Sequence, residues 1–159
     1  MEELAHLTGT ARQDFTHGDI SAVRQYVQSG GVLLIDQCGG MGVFDQSAER
    51  LLTAAFPGQK LEPLPANHPL LRLGNPGMED VTRIHVRAEV VARYGRGAGV
   101  MRILSCGKGH VLYTPLDITS GLLGTNMLGI LGYDPDYAQA LVKNIIFWTL
   151  DGQEDSTIP

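Results

Sequence analysis

The stretch YVQSGGVLLIDQCGG, Tyr26 to Gly40, constrains this chain more than any other, because helix end, glycine turn, apolar strand and glycine-rich loop follow without a gap. Val32 to Ile35 has no polar face. A continuous apolar run bounded by glycine suits a parallel strand covered on both sides. Parallel strands need crossover connections, usually helical, so the segment predicts an open α/β sheet. Ligands of such sheets sit in the crevice beyond the carboxyl ends of the strands. The loop Asp36, Gln37, Cys38, Gly39, Gly40 therefore falls where a site is expected.

The flanking segments extend this pattern. Leu4 to Gly9 reads as a strand that starts almost at the first residue, an abrupt beginning that predicts a piece of a longer protein. Thr16 and Asp19 have capping-box spacing, Ile20, Val23 and Val27 recur at helical period, and Gly30 with Gly31 stops the helix. A second helix through Ala55 is expected with Asp45 or Ser47 as its cap, Leu51, Leu52 and Ala55 inward, and Pro57 as its stop. The proline-rich interval Pro57 to Pro76 predicts a surface path with an extended piece near Leu61 and a helical turn at Pro69 to Leu73.

Ile84 to Val91 alternates and predicts a strand; Val100 to Ser105 and His110 to Thr114 predict a hairpin closed at Cys106–Gly109. Asp134 as cap, Pro135 at the first helical position and Asp136 in the first turn open a last helix with a wide apolar face from Ala138 to Trp148. Asp151 and Gly152 should end it, leaving a frayed tail over 153–159. The expected product is one domain over residues 1–152, an α/β fold forming a three-layer α/β/α sandwich. Its sheet is expected to be mostly parallel with one antiparallel hairpin.

Composition narrows the function classes. The chain has 159 residues, 43% hydrophobic and 18% charged, which suits one globular core. A net charge of -5 with no Lys/Arg run argues against nucleic acid as a partner. No apolar run approaches the ~20 residues of a membrane-crossing helix, and Met1 is followed by Glu2 and Glu3 rather than the basic start of a secretory signal. Cys38 and Cys106 have neither disulfide-framework nor zinc spacing, so reduced thiols are expected. The GKG and YGRGAG glycines lack the strand-to-helix setting of a phosphate or dinucleotide loop, and no cofactor is expected.

The phrases LTG, YVQSGGVLLID, FPG, LPANHPL, GKGHVLYTPLDIT and GYDPDYAQALVKNIIFWTL run in this order from Leu7 to Leu150. Together they resemble a bacterial family of domains of unknown function within the class I glutamine amidotransferase-like superfamily, of flavodoxin-like topology. The resemblance implies an amidotransferase-like fold without an established activity. Members of that family usually carry more sequence upstream, often membrane segments or further domains of envelope-associated bacterial proteins. By that standard this chain begins late, which leaves the first strand-helix unit of the fold an open expectation, and its own cytoplasmic-like composition leaves the compartment open.

The superfamily resemblance makes Cys38 a candidate nucleophile. Related amidotransferases place the cysteine on a strand-to-helix elbow with small residues two before and two after it. Gly40 fits that pattern. Asp36 does not, and its charge would raise the thiol pKa. The histidines open to serve as base are His68 and His110, neither followed by the acid such enzymes use. His68, in Asn67-His68-Pro69, can reach the crevice as acid, base or ligand, or pack beneath a helix-initiating turn. These residues favour a structural thiol over a cysteine-dependent hydrolase or amidotransferase.

Asp36, directly after its buried strand, and Asp117, at the expected end of the YTPLDIT strand, are the stronger candidates. With Thr8, Gly9, Gly39 and Gly40 they would line the crevice and bind a ligand, or they would accept backbone N–H groups and fix their own loops. Together with Thr8, Thr10 and Thr119 they form a hard oxygen set of the kind a divalent ion prefers, but nothing fixes their distances and no metal site is assigned. Carbohydrate recognition by Asp36 and Asp117 with Phe44 and Tyr133 is a further alternative. The preferred expectation is a non-catalytic ligand-binding or protein-interaction module within a larger bacterial protein. Its small-molecule or protein partner is unknown, and a homodimer could form through an open sheet edge.

Overall fold

The computed structural model describes residues 3–72 and 76–151. Its strands are β1 (Leu4–Gly9), β2 (Val32–Gln37), β3 (Glu62–Pro63), β4 (Arg102–Cys106) and β5 (Gly109–Tyr113), lying side by side in the order β1, β2, β5, β4, β3. The helices are α1 (His17–Gln28), α2 (Val43–Ala55), α3 (Ala88–Tyr94), α4 (Thr119–Leu122) and α5 (Pro135–Leu150), with a 3-10 turn at Pro69–Leu71. β1 and β5 flank β2 in parallel, whereas β4 pairs antiparallel with both β5 and β3. The expected mostly parallel sheet is thus evenly mixed, because the hairpin partner β4 is followed outward by a further antiparallel strand.

β2 is buried along its whole length. Its side chains alternate between two apolar clusters: Val32 and Leu34 join Leu112 of β5 and Leu141, Ile145 and Trp148 of α5. Leu33 and Ile35 join Val111 and Tyr113 of β5, Val27 of α1, and Phe44, Ala48 and Leu52 of α2. A strand that feeds a core on each face cannot afford a polar side, which is why VLLI reads as an unbroken run. Each such side chain contributes about 1.5–3 kcal/mol by leaving water.

Local signals place the other elements. Thr16 accepts the Asp19 N–H at 3.1 Å while the Asp19 carboxylate takes the Thr16 N–H at 2.8 Å, the reciprocal cap that starts α1. The hairpin turns at Gly107 and Lys108, with Cys106 opposite Gly109. Pro135 occupies the first turn of α5 after Asp134, although the Asp134 side chain makes no cap bond.

Three expectations are corrected. α2 is capped by Gly42 at a left-handed φ of 86°, without a side-chain bond, and neither Asp45 nor Ser47 is the cap. The chain turns into the helix earlier than expected, which leaves Asp45 in its first turn and turns the Ser47 hydroxyl to the Gln13 N–H at 2.9 Å. The strand expected over Ile84–Val91 is an extended piece with one bridge, Val86 to Tyr133, followed by α3. Ala88, Glu89, Ala92 and Arg93 are good helix formers, and their preference beats an alternation carried by few residues. Asp117 does not end a strand: β5 stops at Tyr113, and Asp117 lies in the following loop, bridged to Gly132. The 3-10 turn ends at Leu71, while its expected end at Leu73, the helix stop at Gly152 and the tail 153–159 lie outside the described residues.

Candidate functional site at the carboxyl edge of the sheet

Parallel pairing sets Thr8 of β1 opposite Asp36 of β2. Asp36 shares its strand face with Val32 and Leu34, and His6 shares that face with Thr8 on the neighbouring strand, because side chains two residues apart point the same way. His6 Nε2 lies 2.7 Å from Asp36 Oδ1. The other oxygen, Oδ2, accepts the N–H groups of Ile118 at 2.7 Å and Thr119 at 2.9 Å, and the Thr119 hydroxyl donates to it at 3.1 Å. The Thr8 hydroxyl lies 3.2 Å from the Thr119 hydroxyl. The carboxylate is completely buried.

Burial pushes the Asp36 carboxyl up, but the donors from His6, Thr119, Thr8 and Ile118 outweigh it and hold the group below the usual aspartate range. Asp36 is therefore a charged clamp that fastens the start of α4 to β1 and β2.

Asp117 plays the same part for the next loop. It accepts the Gly39 N–H at 2.6 Å, the Ser120 N–H at 2.8 Å and the Ser120 hydroxyl at 2.6 Å, and it too is completely buried. The loop it holds is crowded: Gly40 has φ 70°, and a side chain there would run into the Leu131 carbonyl. Leu131 in turn donates its N–H to Gly39 O at 3.0 Å. Gly9 sits under the Phe44 ring, so its missing side chain lets α2 close on β1.

Cys38 lies half-buried between these acids, with its N–H on Gly9 O at 3.2 Å. Burial first, then the charges of Asp117 and Asp36, push its thiol up, against a smaller opposing bond from Ser120. His68 is placed elsewhere. Its ring packs 5.2 Å from that of Trp148, which also holds the His110 ring at 5.1 Å. His110 stands in register with Val32 at the amino end of β2, ~20 Å along the strand from Cys38. The structure thus brings Thr8, Asp36, Asp117, Gly39, Gly40 and Cys38 to one edge and puts His68 and His110 toward the other, while Thr10 follows β1 as an exposed residue.

Two members of the edge escaped the sequence reading. Ser120 is the second residue of the short α4, and His6 faces Asp36 across the strand pair. The one available signal for His6 was that polar residues 6 and 8 alternate with apolar neighbours on an otherwise buried-looking strand.

Among the described residues no group of three His, Cys, Asp or Glu side chains is placed to hold a metal, and no helix is long and apolar enough to cross a membrane. Fold and edge together define a mixed α/β domain whose loops are tied down by two inward-turned aspartates. By sequence the chain belongs to the DUF4159 family, a domain of unknown function, whose profile matches residues 3–149. No curated protein matches it.

Proposed function

We propose that this DUF4159 domain is a non-catalytic protein-interaction module on a three-layer, class I glutamine amidotransferase-like, flavodoxin-like scaffold. Apolar clusters on both faces of the sheet support the layered reading. One observation carries the functional reading: at the edge where such a fold would work, both carboxylates are consumed by internal donors, and the loops they hold carry exposed apolar side chains. Met41 and Val43 follow Gly40, and Leu123, Met127 and Leu128 follow α4, with Leu128 at 93% exposure.

No charged residue occurs from Ile118 to Tyr133. An uncharged rim of Leu and Met suits an apolar segment of a protein partner, since flexible methionines adapt to varied aliphatic surfaces. It offers no basic residues to attract an anionic membrane. β1, at the border of the sheet, supplies the edge through which a second copy could pair.

The rival reading is a hydrolase using Cys38 and His68, and thiol chemistry separates the two. In this module Cys38 should react with iodoacetamide at neutral pH no faster than a free cysteine, because its thiol is held protonated. Alkylation of Cys38 far ahead of Cys106, with loss of the reaction in His68→Ala, would establish the hydrolase instead.

A further inference from the structure

The extended piece Thr82–Val86 separates two grooves of opposite charge. One, of about 800 Å³, is lined by Asp80, Asp134 and Asp136 beyond the shared wall of Arg83 and His85. The other, of about 710 Å³, has an aliphatic floor that includes Ile84, Val86 and Val91, and the charged side chains lining it are Arg83 and Arg96, with His85 beside them. Among the described residues no carboxylate lines this second groove. Arg83 and Arg96 are exposed, and among the described residues neither forms an ion pair.

This concentration of positive charge is unusual for the chain. From Arg83 to Arg96 there are four arginines against Glu89 alone, an excess of three in a protein of net charge -5. One of the four is spoken for: Arg87 is buried and donates to Tyr133 O at 3.2 Å and Thr125 O at 2.7 Å. Its companions face water. A guanidinium presents a planar fork that takes a carboxylate in two parallel bonds, so two unpaired forks beside an aliphatic floor describe a particular partner.

We propose that this groove binds an acidic segment of a partner protein, with carboxylates on Arg83 and Arg96 and an aliphatic side chain on the floor between them. Single-stranded nucleic acid is disfavoured because, among the described residues, no Phe, Tyr or Trp ring lines the groove and His85 is the one ring there on which a base could stack. The acids of the neighbouring groove sharpen the choice, since they repel an acidic chain from the far side of the wall and leave one groove open to it. This surface is formed by residues other than those of the Asp36 edge, and the assignment stands independently of what the apolar rim binds.

The test is fluorescence anisotropy with the whole chain and a labelled, end-blocked heptapeptide alternating glutamate and valine. The peptide should bind at low salt, weaken as salt rises, and lose about tenfold in affinity for Arg83→Glu/Arg96→Glu. Arg12→Glu, at an exposed site elsewhere, should bind as wild type does, and a lysine–valine peptide should not bind. The assignment is overturned if the acidic peptide fails to bind or binds the double variant equally well. It is also overturned if labelled oligothymidylate binds more tightly than the peptide. Sedimentation equilibrium provides the last check: self-association abolished by the double variant would make a second copy, not a foreign acidic segment, the occupant.

Discussion

The carboxyl edge of β2 and the groove beside Thr82–Val86 treat charge in opposite ways. At the edge, Asp36 and Asp117 are buried and every oxygen is met by a donor from the chain itself. In the groove, Arg83 and Arg96 stand in water without a partner among the described residues. The difference teaches where to look for function in this domain. A buried charge must be satisfied internally or the fold fails, so its neighbours report on stability. An exposed charge costs the fold little, and what it meets is left to the partner.

The contrast breaks first, and hardest, at Asp36. Asp36→Ala leaves the Ile118 and Thr119 N–H groups buried without an acceptor and His6 without its anion, a loss of about 3 kcal/mol. In a domain of this size the melting midpoint should fall by roughly 6–12 °C, read from Trp148 fluorescence. Asp36 is held below its ordinary pKa, so its stabilisation is present above the unfolded aspartate value and disappears as pH falls through the folded one. Urea midpoints of wild type and Asp36→Asn should therefore differ most near neutrality and converge in acid. A gap constant between neutral and acidic pH would show that the negative charge is not what the clamp uses.

A smaller effect is expected at Gly40, where a methyl group meets both a left-handed backbone and the Leu131 carbonyl. Gly40→Ala should cost about 1–3 kcal/mol, visible in the same melts. A variant as stable as wild type would mean that the loop is not fastened to residues 131–132 as described. Smallest of all is the groove: Arg83→Glu/Arg96→Glu should stay within about 0.5 kcal/mol of wild type, even as acidic-peptide binding falls. Marked destabilisation would turn those arginines into structural residues and erase the contrast.

Much of the fold was legible because its signals are local. The Thr16–Asp19 box, the Val32–Ile35 run, the Gly107–Lys108 turn and the Pro135 start each depend on residues within a few positions of one another. Ile84–Val91 misled because alternation and helix propensity coexist there, and the choice fell to Arg87, whose backbone and side chain are tied to Gly132, Tyr133 and Thr125. α4 was invisible because four residues carry no periodicity; it forms where the acids Asp36 and Asp117 collect its first N–H groups.

The site divides along the same line. Asp36 was placed at the edge by its position after an apolar strand, but its role was decided by His6, 30 residues away, and by Ile118 and Thr119, 82 and 83 residues away. Sequence alone determined the main segments that leave water and several of their ends, such as the start of α1 and of α5, because those preferences are written in neighbouring side chains. Tertiary structure alone decided which charges are satisfied and which are left for a partner, because a buried carboxylate takes its donors from whatever strands and loops the chain crossing brings beside it.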